Sequence, residues 1–154
     1  MDTSVFFNYP TLASGSSEPA PDPGFLPHAT AEEWDVLLAA TETLRFRPGD
    51  VVLRAGERDR AIYLLLDGRV QAGDAGAEVT APAAVGVAGF LDGLPRAVTL
   101  EARTHVELVR LSWDAYEALA ARDPRLGRMV LGDLGRGLAA RVRAAGPALP
   151  GWTG

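Results

Sequence analysis

Between residues 42 and 111 the chain is cut into short apolar runs by glycine, aspartate and proline, and this punctuation limits what it can fold into. The corners Pro48-Gly49-Asp50, Gly56-Glu57 and Gly68 bracket runs such as Ile62-Tyr63-Leu64-Leu65-Leu66-Asp67. Short runs with glycine corners at regular spacing suit a β-roll or barrel. Strands are expected at 42–47, 51–54, 61–66, 69–72, 77–81, 98–103 and 106–111. An eighth is placed at 81–85, where Pro82 has no N–H to give a ladder and must lie at an edge or a bend.

Helices flank this β region. Thr30 with Glu33 three residues on forms a capping box, and Trp34, Leu37 and Leu38 recur on one face behind it. Ser112 can cap a second helix through Trp113 and Tyr116, and Asp123-Pro124 stops that helix and starts a third. Along the third, Leu126, Val130, Leu134, Leu138 and Val142 recur every four residues, with Met129 and Leu131 alongside. Gly127, Gly132, Gly135 and Gly137 each weaken a helix by about 1 kcal/mol relative to alanine. The third helix is therefore expected to be short, kinked or held by packing. Its arginines, Arg125 to Arg143, read as a solvated face.

Residues 86–99, GVAGFLDGLPRAVT, set one arginine in a glycine-rich stretch. Arg96 reads as an anion clamp: Pro95 fixes the backbone before it, Ala97 is too small to crowd a bound group, and Gly86 and Gly89 let the main chain come close. Backbone N–H groups and a guanidinium can together hold one phosphate. The other reading makes Arg96 a structural residue that bonds backbone carbonyls within its own loop.

Taken in order, the lead-in helix, the glycine-cornered strands, the arginine loop and the terminal helices resemble the cyclic-nucleotide-binding domain family, from about Phe25 to Gly146. The resemblance implies a fold that is mainly β with flanking helices: an eight-stranded antiparallel β-roll, or jelly roll, with an N-terminal helix and two C-terminal helices. It also implies a phosphate-binding cassette formed by Gly86, Val87, Ala88, Gly89, Arg96, Ala97 and Thr99. In the family a glutamate follows the first glycine and holds the ribose 2′-hydroxyl, whereas here Val87 stands in its place. Ala97 stands where some members have serine, and the last helix lacks a serine or threonine to read a purine edge.

With 154 residues, nearly half of them apolar, the chain can bury one good core. One domain is expected over 25–146, preceded by an arm and linker over 1–24 and followed by a tail over 147–154. No output domain is expected after the third helix. Cysteine is absent, and His28 and His105 have no metal-ligand spacing, so no metal or thiol chemistry is expected. No nucleophile, base and orienting group can be assembled from the order of residues, and the chain is read as not an enzyme. Fifteen arginines against twenty acids give a net charge of −5, which does not favour nucleic acid. No run is apolar enough to cross a membrane, and the start lacks a secretory signal, so a cytoplasmic protein is expected.

Val5, Phe6, Phe7 and Tyr9 form a sticky arm ahead of a Ser/Pro-rich spacer. The arm either folds back on its own domain or docks on a protein partner. Two functions stay open. One is a nucleotide-free adaptor or assembly component acting through residues 1–10, without a cofactor and with a possible homodimer through the helix at 125–143. The other is a small sensor of cyclic AMP or cyclic GMP (cAMP or cGMP) that signals through a separate partner. Three losses from the nucleotide site, two in the cassette and one on the last helix, against one retained arginine favour the adaptor.

Overall fold

The protein is described by a computed structural model over residues 26, 28–73 and 76–145. The arm residues Val5, Phe6, Phe7 and Tyr9, the linker and the tail lie outside the described residues. Helix α1 (Ala31–Ala39) opens on the expected capping box: Glu33 N–H donates to Thr30 Oγ1 at 3.1 Å and Thr30 N–H to Glu33 Oε1 at 3.2 Å. Eight strands follow: β1 (Glu42–Phe46), β2 (Val51–Leu53), β3 (Ala61–Asp67), β4 (Arg69–Ala72), β5 (Glu78–Thr80), β6 (Ala83–Val85), β7 (Leu100–Ala102) and β8 (Val106–Ser112). They form two antiparallel four-stranded sheets, in the orders β1-β8-β3-β6 and β2-β7-β4-β5. Pro82 falls between β5 and β6, outside both strands, as its missing N–H requires.

β3 is buried on both faces, and its alternation assigns each face to a different core. Ala61, Tyr63 and Leu65 point into the roll with Val70, Val85, Leu100 and Leu108. Ile62 and Leu64 point the other way, under the helices, with Trp34, Phe90, Val109, Leu111 and Tyr116. A two-sided strand of this kind reads in sequence as a continuous apolar run, which is what residues 62–66 are.

Three more helices cover the β1-β8-β3-β6 sheet: α2 (Val87–Asp92), α3 (Trp113–Arg122) and α4 (Pro124–Ala145). Ser112 caps α3 through Ala115 N–H at 3.1 Å, and Asp123 accepts from Leu126 N–H at 3.0 Å at the start of α4. Despite its glycines α4 is one helix of 22 residues, so of the three alternatives the one realised is packing. Leu126, Val130 and Leu134 are fully buried against α3 and the sheet. The buried carboxylate of Asp133 accepts the Leu26 N–H and pairs with Arg136, fixing the chain where it enters the domain. Arg125 pairs with Glu33 of α1 at 2.5 Å, and its hydrogen bond holds that carboxyl below the ordinary range.

At Gly127 α4 packs tightly on α3. A Cβ there would lie 2.6 Å from Ala120 Cβ, and its carbonyl accepts from Tyr116 Oη at 2.8 Å. Gly135 has nothing within 4 Å of such a Cβ. The two substitutions should therefore move stability in opposite directions by thermal unfolding. Gly135→Ala should stabilise by up to about 1 kcal/mol, and Gly127→Ala should destabilise by about 1–3 kcal/mol through overpacking.

Candidate functional site

The expected cassette folds as the N-cap Gly86, the short helix α2 and an irregular return through residues 93–99. α2 was not expected from the sequence. It has no side-chain cap, starts and ends on glycines with positive φ (+80° at Gly86 and +70° at Gly93), and contains Gly89. What holds it is Arg60, whose Nε and Nη2 donate to the carbonyls of Phe90 and Leu91 at 2.9 and 2.8 Å. A cation on the last carbonyls of a helix satisfies acceptors that have no partner inside it. The same guanidinium lies 3.8 Å from the centre of the Trp113 ring, and Trp113, Phe90 and Tyr116 pack edge to face and tilted at 5.1–5.6 Å. The cassette helix is thereby joined to the start of α3.

Arg96 is 7% exposed and turned inward. Its Nη1 donates to the Gly86 carbonyl at 2.7 Å and its Nη2 to the Ala61 carbonyl at 2.6 Å. The glycines make room for this side chain: a Cβ at Gly86 or Gly89 would stand 2.7 or 2.8 Å from Arg96 Nη1. The main chain of Arg96 is held as well, with N–H to Glu57 O and O from Gly56 N–H, both at 2.8 Å. Thr99 does not line the cavity; its hydroxyl accepts from Ala55 N–H at 2.9 Å and fastens the loop to the β2–β3 turn.

That turn also supplies Asp59, which sequence reasoning missed. One carboxylate oxygen accepts from Arg110 Nη2 at 2.6 Å; the other accepts from the Tyr63 hydroxyl and lies 3.7 Å from Arg96 Nη2. Burial pushes the Asp59 carboxyl up, but the hydrogen bonds from Tyr63 and Arg110 and the charges of Arg110 and Arg96 outweigh it, so it ionises below the ordinary range. Burial and the bond to Asp59 push the Tyr63 phenol up. Arg110 is held protonated, the bonds to Asp59 and Tyr63 overcoming the opposing effect of burial. The signal in sequence is the charged turn Glu57-Arg58-Asp59-Arg60 directly before an apolar strand. Only the register, Tyr63 beside Arg110, shows where that charge goes.

A cavity of about 380 Å³ opens beside the loop. Of the expected cassette, Gly86, Val87, Ala88, Gly89, Arg96 and Ala97 reach its wall, together with Leu53, Leu94, Val98, Leu100, Asp92 and Arg141 of α4. Val87 is only 3% exposed and packs into the core under the helices. Leu94 and Val98 stand 59% and 50% exposed at the rim. Among the described residues no cluster of His, Cys, Asp and Glu could hold a metal, and no helix is long and apolar enough to cross a membrane.

Removing the Arg96 guanidinium leaves two carbonyls and part of a carboxylate without their donors. Arg96→Met should lower stability by about 3 kcal/mol, and Arg96→Lys should not restore it, because one ammonium cannot reproduce the fork. Asp59→Asn reports through pH. A carboxyl whose folded pKa is depressed stabilises above its unfolded value and loses that contribution as pH falls. Wild type should therefore lose stability more steeply than Asp59→Asn below about pH 4 in denaturant melts.

The sequence profile of the Cyclic nucleotide-binding domain family matches residues 43–123, over half of the chain. Among solved structures, a cyclic nucleotide-binding domain from Methylobacillus flagellatus is similar at 29% identity and TM-score 0.71, over 82% of this chain and 76% of that one. The catabolite activator protein of Thermus thermophilus is similar at 26% identity and TM-score 0.65, over 77% of this chain and 57% of that protein. The N-terminal domain of a transcriptional regulator from Streptomyces coelicolor, at 22% identity and TM-score 0.63 over 81% of this chain and 90% of that one, shares the fold. No curated protein shows significant similarity. With profile, strand order and helix placement in agreement, the chain belongs to the cyclic nucleotide-binding domain family.

Proposed function

We propose that this chain is a non-catalytic module of the cyclic nucleotide-binding fold that does not use cyclic nucleotide and acts by contact with a protein partner. The observation that carries this reading is the engagement of Arg96. Both of its terminal nitrogens are bonded to backbone carbonyls, and the side chain is buried. To grip a phosphate it must give up two strong bonds in a low-dielectric site and leave the Gly86 and Ala61 carbonyls bare. Val87 adds to the support, since its methyl groups stand where the resemblance places the acceptor for a ribose hydroxyl. A hydroxyl buried without an acceptor loses binding energy outright.

Partner contact is assigned to Val5, Phe6, Phe7 and Tyr9 on sequence grounds, and α4, which leaves Leu131 exposed, offers a surface for a second copy. The net charge of −5 supports a protein partner over nucleic acid.

The sensor reading keeps one observation in its favour. The cavity lies directly beside Arg96, whose Nε is buried and has no hydrogen-bond partner among the described residues. Calorimetric titration with cAMP and cGMP decides between the two. No saturable binding is expected tighter than roughly 100 µM. A low-micromolar curve with either nucleotide would overturn the proposal and establish the sensor.

A further inference from the structure

The cavity beside the arginine loop, about 380 Å³ in volume, has apolar walls built from Leu53, Val87, Leu94, Val98 and Leu100. Its polar neighbours are already engaged with the chain: the Arg96 fork with two carbonyls, and the Asp92 carboxylate with the Leu94 N–H at 2.8 Å. At the mouth, Leu94 and Val98 are the most exposed large apolar side chains among the described residues. An apolar occupant would take them out of water. A cavity of about 150 Å³ holds one benzene ring, so this space suits two aromatic side chains.

The chain carries such side chains in its arm. Val5, Phe6, Phe7 and Tyr9 are β-branched or aromatic and favour extended backbone, and Pro10 biases Tyr9 the same way. In an extended segment Val5, Phe7 and Tyr9 share one face. The length of the spacer fits as well. Residues 10–25 connect the arm to Leu26, whose N–H donates to Asp133 of α4. Arg141, eight residues further along the same helix, borders the cavity, and eight helical residues rise about 12 Å. A spacer of sixteen residues reaches about 20 Å as a flexible coil and about 50 Å fully extended. A short tether of matching length holds its segment at a millimolar effective concentration, which favours the chain's own arm over that of a second copy.

We propose that the cavity between α2, the 93–99 loop and α4 is the docking site of this chain's own arm, with Phe7 and Tyr9 seated in it and Leu94 and Val98 closing against them. This rests on the reading that cyclic nucleotide is not the ligand, since arm and nucleotide would claim the same space. Docking also gates the partner contact: the arm reaches a protein partner only by leaving the cavity.

The chain has no cysteine, so a single Thr3→Cys carries a nitroxide spin label at one known place. In the full chain with isotope-labelled Leu and Val methyl groups, that label should broaden the Leu94 and Val98 methyl signals beyond detection, and reducing the nitroxide should restore them. Phe7→Ser combined with Tyr9→Ser should keep the Val98 signal sharp, as should Leu94→Asp at the exposed mouth, whereas Phe6→Ser should not. A mixture of spin-labelled chains without isotope and isotope-labelled chains without nitroxide should show no broadening. The proposal is overturned if Val98 stays sharp in the spin-labelled chain, if Leu94→Asp leaves it broadened, or if Phe6→Ser frees it as fully as the double substitution. Broadening in the mixture overturns it too, and makes the occupant the arm of a second copy. Each of these results leaves the proposed function standing; low-micromolar binding of cyclic nucleotide, read in a separate titration, removes that function.

Discussion

The hydrogen bond from Arg96 Nη2 to the Ala61 carbonyl, 2.6 Å long and buried, ties the cassette to the first residue of β3, the strand around which both cores are organised. The bond from Nη1 to Gly86 closes the cassette on itself at its other end. Around this fork the β2–β3 turn holds the arginine loop and the end of α2. Gly56 and Glu57 hold the Arg96 main chain, Asp59 its charge, Arg60 the end of α2, and Ala55 the hydroxyl of Thr99. A guanidinium without these partners would be a buried charge facing apolar side chains, which is strongly unfavourable. The turn and the arginine therefore depend on one another.

From this follows the chemical character of the cavity. In a phosphate site the guanidinium fork is directed at the ligand, as bidentate recognition requires. Here the fork is directed at the protein, and the open space is lined by apolar side chains, Val87, Leu94 and Val98 among them. Membership of the family fixes the scaffold, while these few side chains decide what the scaffold can hold. Phe90, Trp113 and Tyr116 connect that site to the C-terminal helices by aromatic packing rather than by ion pairs, a contact little affected by salt.

Much of the fold was legible in sequence because its determinants are local. Glycine or proline corners bound β2 to β6 on both sides, and observed bounds fall within a few residues of the expected ones, the largest difference being β7, expected over 98–103 and observed as Leu100–Ala102. The caps at Thr30 and Ser112 and the helix boundary at Asp123-Pro124 were read from residue type and spacing alone, and the structure forms each of them. What was not legible depends on contacts distant in sequence. α2 has no cap and a central glycine, and is stabilised by Arg60, about thirty residues before it. The charge hub at Asp59 needs the pairing of Tyr63 with Arg110 across β3 and β8, which no local pattern announces. Gly86 and Gly89 were read as making room for a ligand, and the structure shows them making room for Arg96 itself.

The central claim is that the Arg96 guanidinium is bonded to the protein rather than available to an anion. Side-chain ¹⁵N–¹H NMR of the arginines tests it most directly. Arg96 should give resolved Nη signals, slow to exchange with water, that stay in place when cAMP is added in excess. Averaged Nη signals in fast exchange that shift and sharpen on adding cAMP would contradict the account.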